Sequence, residues 1–326
     1  CGQEMVSIVA GVARTADMDS IVVLIGPDGK AVKDVVGNRV RYVVQDQPLG
    51  TGHALQQARF SLEGIDTIVV INGDSPLIRA ETLTSMMRRH VDEASSITLL
   101  TSDTIHLQDF GRVLRDELGR VSGIVESGDA DDAVRAISEV LGGIYLFDTS
   151  WLWSNLESLE PSQSGEIYLT DLVSRAYRQG IVVNTVQPQE WQEMIGVNTR
   201  SQLAMAEAVL RDRIREHWMG TGVTIPDTGS VYIDIQAILG QDTTVHPNTH
   251  VSGHSQIGRD CEIGPNSIVD DCRIGDRCVV VSSVIRGSTL EDDVEVGPFS
   301  HIRPGSHLES NVHIGSSAEI KNSRLG

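Results

Sequence analysis

Asp74 is the last residue of the short polar sequence Asn72-Gly73-Asp74, which could hold a metal ion. The apolar run at residues 68–71 is too short for an isolated helix and lacks alternation, which favours a strand covered on both faces, as in a parallel sheet. The run ends at Asn72-Gly73-Asp74 and turns at Pro76. Ligands of open α/β sheets bind beyond the carboxyl ends of the strands, so Asp74 is placed to bind a hard cation. The alternative is that Asp74 only caps the next helix.

A glycine-containing loop at residues 45–54 (QDQPLGTGHA) is a second candidate site. It follows a strand-like segment at 40–44 and opens a helix-like segment at 52–60. Gly50 and Gly52 allow the main chain to approach a ligand closely, and the free amides at a helix start can bind an anion or a carbonyl. The same two glycines are also typical of a tight strand-to-helix turn, so their spacing leaves both interpretations open.

These residues need a framework of alternating strands and helices, and the chain up to about residue 190 has that pattern. The alternation predicts a mostly parallel, doubly wound α/β sheet of the Rossmann type. An amphipathic helix from Thr199 to about Trp218 follows. Strands are predicted at residues 21–25, 40–44, 68–71, 97–100, 124–125, 144–147 and 181–186.

Beyond residue 223 the pattern changes, and aliphatic residues recur every six positions. A period of six does not return side chains to one face of an α-helix, but it fits a solenoid with three short faces per coil. We therefore predict a left-handed parallel β-helix of hexapeptide repeats. The inward-facing residues are Leu239, Val245, Val251, Ile257, Ile263 and Val269, and later Leu290, Val296, Ile302, Leu308, Ile314 and Ile320.

The length and charge of the chain limit the number of domains and the kinds of partner that we expect. Its 326 residues suffice for two domains with full cores, predicted as an α/β domain at 1–198, a linker helix at 199–222 and a β-helix at 223–326. The net charge of −19 argues against nucleic acid or an anionic membrane as a partner. No apolar run approaches the ~20 residues of a membrane span, and the four cysteines lack zinc spacing. A cytoplasmic protein with reduced thiols is predicted.

The order of several motifs along the chain resembles one enzyme family. After QDQPLGTGHA come NGDSPL, GIVESGDA, GEIYLTD and IGVN, and then the hexapeptide repeats. This order is similar to that of the bacterial bifunctional N-acetylglucosamine-1-phosphate uridylyltransferases and glucosamine-1-phosphate acetyltransferases. The resemblance implies that UTP and N-acetylglucosamine-1-phosphate react in the first domain with release of pyrophosphate. It also implies that acetyl-CoA acetylates glucosamine-1-phosphate on a trimeric β-helix, in the pathway to UDP-N-acetylglucosamine and cell-wall precursors.

The resemblance assigns roles to individual residues of the first domain. A cofactor Mg²⁺ is expected on Asp74 and Asn198, although Asn198 could instead cap the helix that follows it. The other expected contacts are Gln45, Gly50 and Thr51 with the uridine, Asn72 and Gly73 with the nucleotide, and Gly111 and Glu126 with the N-acetylglucosamine group.

In the β-helix the resemblance assigns Arg303 and Lys321 to the phosphate of glucosamine-1-phosphate. The chain starts at Cys1 without a methionine and stops at Gly326 within the repeats. We therefore expect it to be part of a longer protein, with the acetyltransferase base beyond Gly326 and little or no turnover on its own. No catalytic residue is assigned within the chain itself.

Two positions depart from the family pattern and leave the acceptor sugar open. Leu141 stands where the family usually has asparagine, and Ser127-Gly128 replace a region that commonly has lysine. Another sugar-1-phosphate nucleotidyltransferase with an added β-helix is therefore one alternative. A second alternative is a non-catalytic regulatory or scaffold subunit with the same two domains, which would not need Asp74 or Asn198.

Overall fold

The computed structural model describes residues 1–104, 106–107, 109–162 and 165–326. They divide into two compact units, one formed by Glu4–Ala206 and the other by Cys1–Gln3 with Glu207–Gly326. The domain limits drawn from the sequence, at residues 198 and 222, stay a prediction. Within the described ranges no helix is both long enough and apolar enough to cross a membrane.

The helices predicted at residues 52–60 and from Thr199 to about Trp218 are present as α3 and α8. The described α-helices are α1 (Met5–Thr15), α2 (Lys30–Val36), α3 (Thr51–Ala58), α4 (Ala80–Asp92), α5 (Asp132–Arg135), α6 (Thr149–Leu156), α7 (Asp171–Arg178) and α8 (Arg200–Gly220). Short 3-10 helices lie at Arg59–Leu62, Trp191–Met194 and Thr228–Ser230.

The first unit contains a small and a large sheet. Its strands are β1 (Val22–Ile25), β2 (Arg41–Val44), β3 (Thr67–Ile71), β4 (Ile97–Asp103), β5 (Arg112–Arg115), β6 (Val121–Val125), β7 (Glu139–Asp148) and β8 (Val183–Val186). Strands β1 and β2 form a parallel pair, and the large sheet has the order β6-β5-β7-β4-β8, with β3 also paired to β7. Its core includes Phe147, Leu99 and Leu172, all 0% exposed.

The large sheet is mixed, so the prediction of mostly parallel strands was wrong. Strand β7 runs antiparallel to β3, β4 and β5, and only the β4–β8 pair in this sheet is parallel among the described strands. A continuous apolar run reports that a strand is covered on both faces, and it carries no information about the direction of its neighbours. In β3 only Ile68 is buried and the other four residues are half-buried, so the expectation of full cover on both faces was also wrong for this strand.

An interruption at one edge of β7 brings two loops together. Strand β4 pairs along one edge, whereas β3 pairs with residues 144–148 and β5 with Val140 on the other edge. Strand pairing on that second edge stops at Gly142 and Gly143. The carboxyl end of β3 and the start of β5 therefore meet there.

The second unit is a parallel β-helix, which confirms the interpretation of the six-residue period. Its strands form three parallel sheets, with the orders β10-β13-β16-β19-β22-β25, β11-β14-β17-β20-β23 and β24-β21-β18-β15-β12-β9. The strands are β9 (Tyr232–Ile233), β10 (Ile238–Leu239), β11 (Thr244–Val245), β12 (His250–Ser252), β13 (Gln256–Ile257), β14 (Glu262–Ile263), β15 (Ile268–Asp270), β16 (Arg273–Ile274), β17 (Val279–Val280), β18 (Val284–Arg286), β19 (Thr289–Leu290), β20 (Glu295–Val296), β21 (His301–Ile302), β22 (His307–Leu308), β23 (His313–Ile314), β24 (Glu319–Ile320) and β25 (Arg324–Leu325).

On each face of the β-helix, the aliphatic residue of one coil points inward and stacks on the aliphatic residue at the same position of the next coil. Val251 pairs in register with Val269, and Val269 with Ile285, and all three are buried. Full burial of one such side chain contributes about 1.5–3 kcal/mol, so each coil of the column adds to the stability of this unit. Glycine follows the aliphatic residue where coils approach closely: a methyl group on Gly240 would lie 2.3 Å from the carbonyl oxygen of Gly258.

Candidate active site

Asp74 lies in the loop after β3, with its carboxylate partly withdrawn from water. Burial raises the pKa of this carboxyl above its ordinary value of 3.8, and hydrogen bonds from its own main chain and from Ser75 oppose that shift. Helix α4 has Arg79 as its N-cap residue, so the alternative in which Asp74 caps the next helix is wrong. Among the described residues, no cationic side chain forms an ion pair with Asp74.

The segment Gly196-Val197 lies directly against Asp74. The amide of Val197 donates a 2.9 Å hydrogen bond to the carbonyl oxygen of Asp74. A methyl group on Gly196 would lie 3.9 Å from Oδ2 of Asp74 and 3.8 Å from Cζ of Phe110. The structure therefore brings the NGDSPL and IGVN motifs together, although 120 or so residues separate them in the sequence.

Asn198 is exposed, and its side chain forms no hydrogen bond within the described residues. The cap of α8 comes from the next residue instead, because Oγ1 of Thr199 accepts a 3.2 Å hydrogen bond from the amide of Gln202. In return, Oε1 of Gln202 accepts from the amides of Thr199 and Asn198, both at 2.9 Å. This reciprocal arrangement is a capping box. The alternative role of Asn198 as the helix cap is therefore wrong, and its carboxamide is available for another ligand.

The donor set at this position suits a hard divalent cation. A group of three or more His, Cys, Asp or Glu side chains able to hold a metal ion does not occur in the described part of the chain. Mg²⁺ does not need such a cage, since it usually keeps several waters and uses one or two protein oxygens together with substrate phosphates. One carboxylate without a cationic partner and one unengaged carboxamide on an adjoining segment meet that requirement.

The loop at residues 45–54 is closed by its own side chains and by the GEIYLTD segment. Nε2 of Gln45 donates to the carbonyl oxygen of Gly50 at 3.2 Å and lies 3.0 Å from Nδ1 of His53. Oγ1 of Thr51 accepts a 3.1 Å hydrogen bond from the amide of Leu169. The three predicted uridine contacts therefore lie together: Gln45 and Gly50 in the turn that leads into α3, and Thr51 as the first residue of that helix.

The two glycines of this loop have a packing role. Gly50 has a φ of +96°, and a methyl group on it would lie 2.6 Å from the carbonyl oxygen of Ile167. A methyl group on Gly52 would lie 2.7 Å from Cγ2 of the same residue. The main chains also exchange hydrogen bonds, from Gly52 to Ile167 and from Ile167 to Leu49, both at 2.8 Å. Close approach between two protein segments thus accounts for these glycines.

Gly111 and Glu126 lie side by side at the interrupted edge of β7. Strands β5 and β6 pair Arg112 with Val125, and a methyl group on Gly111 would lie 3.5 Å from Oε2 of Glu126. The carbonyl oxygen of Gly111 accepts a 2.9 Å hydrogen bond from the amide of Leu141. The Leu141 side chain, 5% exposed, packs in the core of this unit.

Thr170 is a residue of this site that the sequence analysis missed. Its Oγ1 donates a 2.9 Å hydrogen bond to Oε1 of Glu126. Burial is the main cause that raises the pKa of Glu126 above 4.5, and the charges of Asp129 and Asp171 act in the same direction. Thr170 lies within the GEIYLTD motif, so its position was visible in the sequence, but its contact with Glu126 depends on the fold.

Asn72 lies on the opposite side of the same opening. Its side chain is exposed, and its Nδ2 would be only 2.7 Å from a methyl group on Gly143. Gly143 has a φ of +67°, a conformation that glycine adopts without strain. Asn72 and Gly73, at the end of β3, and Gly111, before β5, therefore border the stretch where pairing on β7 stops.

In the β-helix, Arg303 and Lys321 occupy the same position of successive coils. Ile302 pairs in register with Ile320, and the amide of Arg303 donates to the carbonyl oxygen of Ile320 at 2.8 Å. The guanidinium of Arg303 forms a 2.9 Å ion pair with Glu319. The ammonium of Lys321 has no such partner among the described residues. Two adjacent cationic side chains make the local potential more positive than that of the acidic chain as a whole.

Arg286 continues this column one coil earlier, because Ile285 pairs in register with Ile302. Its Nε lies 4.0 Å from Oδ2 of Asp270, so the pair is weak and exposed. The six-residue spacing does not relate Arg286 to Arg303, because the coil from Ile285 to Ile302 is shorter than the regular coil from Ile302 to Ile320.

Family models of known proteins match both the α/β part and the β-helix part of the chain. Residues 1–224 match the nucleotidyl transferase family, and residues 236–270 and 287–322 match the bacterial transferase hexapeptide (six repeats) family. Among solved structures, a UDP-glucose pyrophosphorylase complexed with UDP-glucose superposes on 64% of this chain and on 87% of its own chain. Its sequence identity is 15% and its TM-score is 0.52. A Bacillus anthracis protein described as a glucose-1-phosphate thymidylyltransferase covers 64% of this chain and 82% of its own at 22% identity, with a TM-score of 0.54. These two likenesses establish the fold alone.

Curated relatives match all or nearly all of the chain. The bifunctional protein GlmU of Heliobacterium modesticaldum is 39% identical over 100% of this chain and 71% of its own length. The GlmU proteins of Halalkalibacterium halodurans and Caldanaerobacter subterraneus subsp. tengcongensis are 38% and 40% identical, over 100% and 93% of this chain and 72% and 66% of their own lengths. With both domains matched in order, the chain belongs to the GlmU family of bifunctional uridylyltransferases and acetyltransferases of UDP-N-acetylglucosamine synthesis.

Proposed function

We propose that UTP and N-acetylglucosamine-1-phosphate react at the interrupted edge of β7, with Mg²⁺ held by Asp74 and Asn198. The main support is the hydrogen bond between Val197 and Asp74, which joins the two segments that carry these ligands. The capping box at Thr199 adds to it, because it leaves the Asn198 carboxamide unengaged.

In the proposed reaction, a phosphate oxygen of the sugar phosphate attacks the α-phosphorus of UTP. The bond from that phosphorus to the oxygen that bridges the α- and β-phosphates breaks, and pyrophosphate leaves with the electron pair. Such displacements depend on positioning and charge neutralisation more than on a covalent nucleophile. Bound Mg²⁺ supplies part of that neutralisation on the phosphates.

The chain's own residues orient the two substrates. Gln45, Gly50 and Thr51 form the ordered turn that we assign to the uridine, and Asn72 and Gly73 border the nucleotide at the end of β3. Hydrogen bonds to residues 167–169 hold this turn in place, so we expect it to be preformed before the nucleotide binds. A preformed turn lowers the entropy that binding must overcome.

Glu126 and Gly111 are assigned to the acceptor sugar, and Thr170 is added to them. A carboxylate oxygen accepts hydrogen bonds from sugar hydroxyls more strongly than a neutral acceptor does. Thr170 occupies Oε1 of Glu126, which leaves Oε2, on the side of Gly111, for the sugar. Because Leu141 is apolar and packs in the core, discrimination between acceptor sugars depends on Glu126 and the main chain near Gly111.

For the second unit we propose that Arg303 and Lys321 bind the phosphate of glucosamine-1-phosphate, and that acetyl-CoA is the acyl donor. Two cations on successive coils can contact one phosphate group from two directions. A homotrimer through the β-helix and a cytoplasmic location, where UTP and acetyl-CoA are available, complete the proposal.

The test is the Mg²⁺ dependence of UTP binding, measured by calorimetry with Mg²⁺ and with EDTA. Asp74→Asn is expected to remove the Mg²⁺-dependent part of the affinity, because it removes the anionic ligand. Asp66→Asn is the matched control, since Asp66 is exposed at the opposite end of β3. Equal Mg²⁺ dependence in Asp74→Asn and the wild type would overturn the proposal.

A further inference from the structure

Glu193 is a fully buried carboxylate, 0% exposed, that none of the roles above uses. It lies in the 3-10 helix Trp191–Met194, immediately before the segment that carries Asn198. Its hydrogen bonds are made to the start of α4, the helix that follows the Asp74 loop. Glu193 therefore connects the two parts of the chain that hold the proposed metal ligands.

The contacts of Glu193 replace a missing helix cap. Arg79 is the N-cap residue of α4, and its side chain makes no capping hydrogen bond. Instead, Oε2 of Glu193 accepts from the amide of Arg79 at 3.1 Å and from Oγ1 of Thr82 at 2.6 Å. A carboxylate at a helix N-terminus is stabilised by the free amides and by the helix dipole. A segment more than 100 residues away in the sequence thus fixes the start of α4.

A second hydrogen bond links the same two segments, so that the segments and the two bonds form a closed ring. The amide of Val197 bonds to the carbonyl oxygen of Asp74 at 2.9 Å, while Glu193 bonds to Arg79. Residues 74–79 form one side of this ring and residues 193–197 the other. Because both sides are short, the Glu193 contacts limit how far Asp74 can move relative to the segment that leads to Asn198.

We propose that Glu193 is a positioning residue that sets the relative placement of Asp74 and Asn198 and thereby the affinity for a divalent cation. The inference rests on the proposed function, in which these two side chains bind Mg²⁺. Prepositioned ligands lose less freedom when the ion binds, so the affinity depends on the residue that holds them.

The experiment measures Mn²⁺ binding in the presence of UTP by electron paramagnetic resonance, since free and bound Mn²⁺ give distinct signals. Glu193→Ala is expected to weaken Mn²⁺ binding about tenfold or more, the range found for residues that support metal ligands. Glu193→Gln retains an oxygen that can accept both hydrogen bonds and should recover part of the loss. Thr82→Val removes the 2.6 Å bond alone and should give a smaller loss.

The matched control is Thr98→Val, which removes the buried 2.9 Å contact between Thr98 and Nδ1 of His90. It is expected to lower thermal stability by a comparable amount and to leave the Mn²⁺ affinity unchanged. Hydrogen exchange at the Val197 amide gives a second readout, and Glu193→Ala should accelerate it whereas Thr98→Val should not.

The outcomes separate the two proposals. If the wild type and Asp74→Asn bind Mn²⁺ equally, the proposed metal site is wrong, and the role of Glu193 fails with it. If Asp74→Asn loses Mn²⁺ binding while Glu193→Gln and Thr82→Val retain the wild-type affinity and Val197 exchange, only the positioning role is overturned. Both of these variants keep the test decisive if Glu193→Ala does not fold.

Discussion

Replacement of Asn198 and Thr199, one at a time, separates a ligand from a helix cap at two neighbouring positions. In Thr199→Ala, the amide of Gln202 loses its 3.2 Å acceptor and the capping box is broken. In Asn198→Ala, the bond from its main-chain amide to Oε1 of Gln202 remains, because that bond does not involve the side chain.

The expected magnitudes follow from these contacts. Loss of a Ser or Thr cap costs about 1 kcal/mol in the free energy of unfolding, within a range of about 0.5–2 kcal/mol. In a unit of this size, 1 kcal/mol corresponds to a Tm decrease of about 2–4 °C. Removal of the exposed Asn198 side chain should change the free energy of unfolding by less than about 0.5 kcal/mol. Loss of a metal ligand should nevertheless weaken Mg²⁺-dependent UTP binding at least about tenfold.

Thermal unfolding and calorimetric UTP titration of both variants provide the assay. The structure requires opposite profiles: Thr199→Ala loses stability with a small change in binding, and Asn198→Ala loses binding with a small change in stability. If Asn198→Ala is destabilised as much as Thr199→Ala and binds UTP with unchanged Mg²⁺ dependence, Asn198 is not a metal ligand.

Three further predictions concern other parts of the chain. Burial raises the pKa of Glu126 above 4.5, so the stability linked to its protonated form is present below about pH 4.5 and lost as pH rises through the folded pKa. Glu126→Gln should therefore unfold at a higher urea concentration than the wild type near neutral pH, with the gap closing in acid; a constant gap would contradict the assignment. Ile263→Ala, at a fully buried position of the β-helix, should cost about 2–5 kcal/mol, whereas Ile238→Ala, at a position 53% exposed, should cost less than about 0.5 kcal/mol. Gly50→Ala places a methyl group 2.6 Å from a carbonyl oxygen at a φ of +96° and should destabilise the protein by about 1–3 kcal/mol. Gly11→Ala, in α1 with nothing within 4 Å, should stabilise it by about 0.5–1 kcal/mol, and differential scanning calorimetry measures both.

Local features of the fold could be predicted from the sequence, whereas strand direction could not. The apolar run before Asp74 predicts a strand and places this carboxylate at its end, and the structure confirms both. The partner of that strand is β7, which is antiparallel and lies about 70 residues further along the chain. Periodicity depends on which faces are covered, so it does not specify such a partner. The six-residue period was more informative, because each coil pairs with the next and the contacts are therefore local.

The same distinction applies to the candidate site. The capping box at Thr199 and Gln202 follows the T-x-x-Q pattern, so it was readable in the sequence and would have removed the cap interpretation of Asn198. The contacts of Thr170 with Glu126, and of Glu193 with α4, join segments 44 and more than 100 residues apart. No spacing rule reports contacts of this kind, since they arise only when the sheet has formed. The motifs predict where the proposed site lies, and the tertiary contacts show which residues join the segments that carry it.

A crystal structure of the protein with UTP and Mg²⁺ would show the proposed metal site itself. We expect one metal ion about 2.0–2.1 Å from a carboxylate oxygen of Asp74 and from the carboxamide oxygen of Asn198, with waters and phosphate oxygens completing an octahedron. Nucleotide density away from the end of β3, with Asp74 and Asn198 bonded only to neighbouring protein atoms or water, would contradict it.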